Sequence, residues 1–169
     1  MPTVTIDKSC DICIDSDGFQ QSPSGIHCTF IKFGSTGLKC YSEKWLRDRS
    51  YQNQLVLSDL GIAPKVGFMT EVTIKGRGND HTYYAFETEV IDDVYRPEVY
   101  KALHESYDYD DNVEAREYIS RFADAAEELA NDYADTINWF DNHAGNIGFN
   151  SNGDPVIIDC ADNLFYLEY

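Results

Sequence analysis

Apolar and polar residues alternate along the N-terminal half of the chain, and this two-residue period predicts paired β-strands. Residues 26–33 and 38–41 are two such runs, and the turn-forming sequence 34–37 between them predicts a β-hairpin. The same period returns over residues 66–74 and again over residues 84–90. We expect a second hairpin from these two runs.

A helix is predicted over residues 45–60, because apolar residues there keep the spacing of one helical face. Gly61 supplies a C-terminal cap, and Pro64 prevents the helix from continuing. The apolar stripe consists of Leu46, Leu57 and Leu60.

A second and stronger helix is predicted over residues 113–137, where apolar residues recur at three- and four-residue steps. Asp111 and Glu114 have the Asp-x-x-Glu arrangement of a capping box, which places the helix start near them. Acidic residues far outnumber basic residues between positions 105 and 135. This excess predicts a solvated helix face and lead-in loop.

Residues 147–149 and 156–158 predict a short hairpin closed by the polar sequence 150–154. The elements therefore follow one another as strands, a helix, strands, a helix, a loop and a small hairpin. This order predicts an α+β domain.

The composition narrows the class of partner. The chain has 169 residues, the length of one domain, and its 13 Lys and Arg against 30 Asp and Glu give a net charge of −17. With 43% hydrophobic residues it should fold rather than stay disordered. The negative charge argues against direct binding of nucleic acid, whose backbone attracts Lys and Arg, and favours a basic protein partner.

No apolar run has the length of a membrane helix, and the N-terminus lacks the apolar core of a signal peptide. We therefore expect a soluble, cytoplasmic protein with no membrane partner. The 5 cysteines are an odd number, which argues against a disulfide framework. Cys10, Cys13, His27 and Cys28 offer structural zinc as an alternative, but free thiols are the favoured interpretation.

Three polar residues that can bind metal follow the second helix: Asp141, Asn146 and, after an apolar run, Asp159. Mg²⁺ prefers hard oxygen ligands and keeps several waters, so Asn146 and Asp159 suffice if hairpin strands bring them together. Asp141 could then accept the proton of an oxygen nucleophile or orient it. Alone, Asp141 and Asn146 also fit an Asx-rich turn. Their combination with Asp159 favours phosphoryl transfer.

The same stretch resembles a known family. Residues 141–146 match the D-x-H-x-x-N catalytic loop of the protein kinase-like fold, and residues 156–159 match the strand leading to its metal-binding aspartate. The stretch is most similar to the small serine/threonine protein kinases of tailed phages. The resemblance implies a minimal kinase-like domain that uses ATP and Mg²⁺. Its sheet-rich N-terminal part would cover residues 1–91, and its truncated helical part residues 92–169.

Further roles are implied by this resemblance alone. Lys39 is similar to the strand lysine that holds the α- and β-phosphates of the nucleotide, and residues 15–25 stand where the glycine-rich loop lies. Backbone groups after the last N-terminal strand would contact adenine. The implied nucleotide-binding residues are Lys39, Gly18, Gly25, Glu89 and Ile91.

The chain departs from the family pattern in three places. The helix after Lys39 offers Asn53 and Gln54 where the family has a glutamate, so an amide could bond the lysine without supplying a charge. Cys160 follows the metal-binding aspartate where the family has phenylalanine. The chain ends ten residues after that aspartate, where a full kinase continues with substrate-docking helices. We interpret His143 as stabilising the loop, by bonding backbone carbonyls, rather than as a base.

Two functions follow from these residues. The first is ATP- and Mg²⁺-dependent phosphoryl transfer to Ser or Thr of a host protein by a phage-type kinase. Its catalytic residues would be Asp141, Lys39, Asn146 and Asp159. The alternative is a catalytically weak or inactive kinase-like acidic protein that binds a basic site on a host enzyme and inhibits it. A truncated C-terminal part would leave apolar surface exposed, which makes a homodimer compatible with either function.

Overall fold

The computed structural model describes residues 3–7, 19–21, 28–33, 36–75, 81–105, 112–136 and 143–160. These residues form a mixed structure with an antiparallel N-terminal sheet and few helices, which confirms the predicted α+β class. The strands are β1 Thr3–Asp7, β2 Phe19–Gln21, β3 Cys28–Phe33, β4 Thr36–Tyr41, β5 Val66–Lys75, β6 His81–Glu89, β7 Asp93–Val94, β8 Ile147–Phe149 and β9 Pro155–Ile157. The α-helices are α1 Lys44–Asp59, α2 Pro97–Glu105 and α3 Val113–Asp132.

Six strands form the larger sheet in the order β1-β5-β6-β4-β3-β2. The predicted hairpins are confirmed, since β3 pairs antiparallel with β4 and β5 pairs antiparallel with β6. Strand β1 was not predicted and adds an edge that runs parallel to β5. The register of β5 shifts between Val66 and Met69, and Phe68 within this stretch is 46% exposed. The simple alternation predicted for this strand therefore breaks at its start.

Helix α1 confirms the predicted segment and packs against the inner face of the larger sheet. Gly61 follows it with φ of 79°, a conformation that favours glycine and ends the helix. The predicted leucine stripe is only partly buried, because Leu57 is fully buried whereas Leu60 is 45% exposed. The buried face is largely polar and consists of Arg47, Ser50, Asn53, Gln54 and Leu57.

Helix α3 begins at the predicted place but has a different cap. The Asn112 side chain accepts a hydrogen bond from the Ala115 backbone N–H at 3.0 Å, which is the N-cap interaction. The capping box assigned to Asp111 and Glu114 is therefore wrong in its cap residue, and Asp111 itself lies outside the described residues. The helix ends at Asp132, earlier than the predicted position 137.

The predicted C-terminal hairpin is confirmed as β8 and β9, which pair antiparallel and carry β7 on the outer side of β8. Its turn is shaped by Asn150, whose Oδ1 accepts from the N–H groups of Asn152 and Asp154. Gly153 has φ of 82°, which suits a glycine in this turn.

One apolar core joins the two parts of the chain. The end of α1 and the segment after it contribute Leu57 and Ile62, while the hairpin contributes Ile147 and Ile157. The Ile157 N–H also donates to the Ile62 carbonyl at 2.8 Å. Helix α3 closes this core with Phe122, Ala125, Ala126 and Leu129. Within the described part of the chain, no helix is long and apolar enough to cross a bilayer.

Candidate functional site

Lys39 lies on β4 with its side chain toward α1. Its neighbours across the sheet are Phe30 on β3 and Phe86 on β6, and its Nζ is 6.0 Å from the centroid of the Phe86 ring. The ammonium group donates a 2.8 Å hydrogen bond to Gln54 Oε1 and another to the backbone carbonyl of Ile158. Lys39 therefore connects the sheet, α1 and the residue directly before Asp159.

Gln54 is fully buried, and each end of its amide has partners. Its Oε1 accepts from Lys39, while its Nε2 donates to the Pro64 carbonyl at 2.9 Å and to Thr88 Oγ1 at 2.7 Å. The sequence left Asn53 and Gln54 as alternative partners for the lysine. The structure selects Gln54.

Asn53 holds the other side of Asp159. Its Nδ2 donates to the Cys160 carbonyl at 2.9 Å, and the amide side chain is 1% exposed. Contacts from α1 and Lys39 therefore reach the residues directly before and after Asp159. Asn53 bonds this segment directly and Gln54 acts on it through Lys39, although both direct contacts join residues more than 100 positions apart in the sequence.

Asn146 and Asp159 lie next to the paired strands of the small hairpin: Asn146 directly precedes β8, and Asp159 lies two residues after β9. Ile147 pairs with Ile157, and the Ile158 N–H donates to the Asn146 carbonyl at 2.8 Å. Asn146 is 2% exposed and Asp159 is half-buried. The hairpin thus places the backbones of the two predicted metal ligands beside each other, as the sequence argument required. Their role as ligands stays a prediction.

The turn before β8 is stabilised by His143. Its Nδ1 accepts a hydrogen bond from the Gly145 N–H at 3.1 Å, and its carbonyl accepts from the Asn146 N–H at 2.9 Å. The imidazole therefore bonds a backbone amide here, whereas the sequence interpretation had it bonding carbonyls. The Cβ of any larger residue at Gly145 would overlap with the His143 ring, so the turn suits glycine.

The charges of Lys39 and Asp159 act on the same two thiols. Burial raises the pKa of Cys28, while Lys39 lowers it and Asp159 raises it to a smaller extent. Burial likewise raises the pKa of Cys160 to about 12, with Lys39 and Asp159 again acting in opposite directions. Lys39 and Asp159 therefore share one small region of opposite charge, and both thiols are protonated near neutral pH.

The predicted adenine-contacting residues lie at the end of β6 and just beyond it. Glu89 pairs with Thr36, and its N–H donates to the Lys65 carbonyl at 2.8 Å. Ile91 packs against Gly148 of β8, where a side chain would overlap with its methyl group. This segment therefore connects the larger sheet to the small hairpin.

Three other predicted site residues, Asp141, Gly18 and Gly25, lie outside the described residues. So do Cys10, Cys13 and His27 of the zinc alternative. Among the residues that the structure describes, no group of three or more His, Cys, Asp or Glu side chains could hold a metal ion. An Asn–Asp pair that keeps several waters around Mg²⁺ does not require such a group.

A cleft that was not predicted from the sequence lies beside the His143 turn. It has a volume of about 360 Å³ and is lined by Tyr95, Pro97, Ile119 and the turn residues His143–Asn146. The segment before Tyr95 is fixed by Asp93, which receives two hydrogen bonds from the Arg121 guanidinium at 2.9 and 2.6 Å. These bonds lower the pKa of Asp93. Of the residues that line the cleft, only Pro97 could have indicated local structure from the sequence, because proline is typical of the first turn of a helix.

The arrangement of the sheet, its inner helix and the hairpin that follows α3 is that of the protein kinase-like fold. The structure is similar to that of the bifunctional kinase-methyltransferase WbdD, with a TM-score of 0.51 and 11% identity over 90% of this chain. This chain spans 34% of the WbdD chain. An apo pseudokinase aligns with a TM-score of 0.40 and 11% identity, over 95% of this chain and 60% of the pseudokinase chain. No protein-family model and no curated protein matches the sequence.

Close packing beside Lys39 gives a stability prediction. A Cβ at Gly37 would overlap with the Phe30 ring, which lies on the same face of the sheet. We expect Gly37→Ala to lower the free energy of unfolding by about 1–3 kcal/mol, as overpacking does in other cores. Chemical denaturation measures the change. The double variant Gly37→Ala, Phe30→Leu should recover part of the loss, and a single variant as stable as the wild type would contradict this packing.

Proposed function

We propose that this chain is an ATP- and Mg²⁺-dependent phosphotransferase that transfers the γ-phosphoryl group to a Ser or Thr hydroxyl of a protein. The observation that carries the proposal is the hydrogen bond from Lys39 to the Ile158 carbonyl. It brings a cation next to the candidate metal-binding Asp159, although 119 residues separate the two bonded groups. Phosphoryl transfer relies mainly on positioning and on charge stabilisation, and this pairing supplies both.

In this proposal Lys39 holds the α- and β-phosphates, while Asn146 and Asp159 hold Mg²⁺. Bound Mg²⁺ neutralises the negative charge that develops on the transferred group. The residues fit that role, because an amide oxygen and a carboxylate are hard oxygen donors and the hairpin aligns their strands. Backbone groups of Glu89 and Ile91, with Gly18 and Gly25 of the preceding loop, would complete the nucleotide site.

Asp141 is assigned to the acceptor. The acceptor oxygen forms a bond to the γ-phosphorus as the bond from that phosphorus to the β–γ bridging oxygen breaks, and ADP leaves with the electron pair. The hydroxyl proton passes to the Asp141 carboxylate and then to solvent. His143 and Gly145 hold the turn that follows Asp141 in the chain.

The resemblance to small phage kinases suggests a phage-encoded enzyme that acts in the host cytoplasm on a host protein. The net charge of −17 favours a basic target over nucleic acid. A homodimer is compatible with this function.

The test is transfer of label from γ-³²P-ATP to a panel of basic peptides that contain Ser, Thr or Tyr. We expect Mg²⁺-dependent labelling of Ser or Thr peptides, and Asp141→Asn should lower the rate by at least about 10²-fold, the usual worth of general-base assistance. Unchanged nucleotide binding in the variant, measured by calorimetry, would show that the fold persists. Labelling that survives the substitution would remove Asp141 from this role.

A second function is favoured by the neutral amide on α1 and by the acidic surface of the protein. A kinase-like protein of low or no activity could bind a basic site on a host enzyme and inhibit it. Thermal melting with Mg-ATP separates the two proposals, since a ligand that binds only the folded state raises the transition. At 100 times the dissociation constant, the stabilisation should be about 2.7 kcal/mol. Absence of any shift at millimolar nucleotide would favour the inhibitor.

A further inference from the structure

The buried amide of Gln54 can adopt only one orientation in this structure. Its Nε2 faces the Pro64 carbonyl oxygen, which accepts hydrogen bonds but cannot donate them. That end of the side chain must therefore be the NH₂ group, which also reaches Thr88 Oγ1. The remaining end, Oε1, is left to accept from Lys39.

Among the residues that the structure describes, Lys39 consequently donates hydrogen bonds only to neutral oxygens. Its Nζ donates to an amide oxygen and to a backbone carbonyl, and neither cancels its positive charge. A glutamate at position 54 would place one carboxylate oxygen on Lys39 and the other against the Pro64 carbonyl. Two oxygen acceptors at that distance, 2.9 Å in the present pair, repel each other unless one carries a proton.

We propose that Gln54 is a positioning residue that orients Lys39 without adding a carboxylate to it, so that the site binds polyphosphate anions before any metal arrives. This inference rests on the proposed function, in which Lys39 meets the nucleotide phosphates. The neutral amide of Gln54 then has a positioning role of its own and is not a less effective substitute for a glutamate. Nucleotide and metal could then bind in either order.

The first test is calorimetric binding of inorganic tripolyphosphate and of metal-free ATP. We expect both to bind the wild type, and Gln54→Glu to weaken both by about tenfold or more at a pH high enough to ionise the new carboxyl, because the carboxylate then cancels the Lys39 charge and repels the anion. Equal or tighter anion binding by Gln54→Glu would overturn the inference. If Lys39→Met bound the anions as well as the wild type, the proposed function would fail with it.

The second test separates charge from position and does not depend on the folding of the glutamate variant. Gln54→Met keeps the side-chain size and adds no charge, but it loses all three hydrogen bonds. We expect its affinity for tripolyphosphate to stay within about threefold of the wild type, while kcat for phosphoryl transfer falls by at least about tenfold, the loss expected when a reacting group is no longer held in place. Unchanged kcat would overturn the positioning role. Leu57→Ala, which opens a cavity in the apolar core at the end of the same helix, is the control for general loosening of α1.

Discussion

Asp159→Asn should lower Mg²⁺-dependent phosphoryl transfer about 10³-fold, because it removes the only charged side chain assigned to the metal, and metal ions supply several kcal/mol of transition-state stabilisation. The substitution preserves the size of the side chain. The backbone on both sides is held by Lys39 and Asn53, so the fold should persist. A steady-state assay over a range of Mg²⁺ concentrations measures the effect.

The same variant should behave in the opposite way without metal. Removing a negative charge from the region shared with Lys39 should leave metal-free ATP binding unchanged or tighter. Asp154→Asn is the matched control, since Asp154 lies in the exposed turn of the same hairpin and bonds Asn150 through its backbone N–H and carbonyl, which the substitution keeps. Full Mg²⁺-dependent activity in Asp159→Asn would remove this residue from the metal site.

Lys39→Met should lower transfer about 10²- to 10³-fold, the usual effect of deleting one group that stabilises the transition state electrostatically. It should also weaken metal-free ATP, in contrast to Asp159→Asn, because the cation that attracts the phosphates is gone. Isothermal calorimetry gives the affinity, and the labelling assay gives the rate.

Lys32→Met provides the control for Lys39. Lys32 lies on the neighbouring strand, is 39% exposed and pairs with Asp92 at 2.9 Å, so its loss should have little effect on either measurement. If both lysine variants reduced nucleotide binding equally, general charge attraction would explain the result better than a defined phosphate site.

Secondary-structure elements whose ends are determined by nearby residues could be predicted from the sequence. The β8–β9 hairpin was predicted because a polar turn separates two short apolar runs. The end of α1 was predicted because glycine is a typical C-terminal cap, and Gly61 indeed has positive φ in the structure. Helix α2 was missed although Pro97 and Glu98 mark a helix start, because it has only 9 residues and none of them is buried. Strand β1 was missed because its parallel partner lies about 68 residues away, beyond any local pattern.

The site could be predicted only where residue type alone constrains chemistry. Asn146 and Asp159 stood out by type and order, Lys39 was indicated by the family resemblance alone, and the structure brings their segments together. The buried polar face of α1 could not be predicted from residue type. Asn53 and Gln54 are tolerated in the interior because their partners, Cys160 and Thr88, come from distant segments, and a hydrophobicity pattern contains no information about such partners.

The apolar core limits how far the sheet-rich part and the helical part can move relative to each other. Leu57 and Ile62, from the sheet-rich part, are packed with Phe122 and Ile157 from the helical part, and a backbone hydrogen bond joins Ile62 to Ile157. A rigid-body separation of the two parts would disrupt this packing and expose its apolar side chains to water. We therefore expect access to the region around Lys39 and Asp159 to depend on rearrangement of surface segments while this core stays packed.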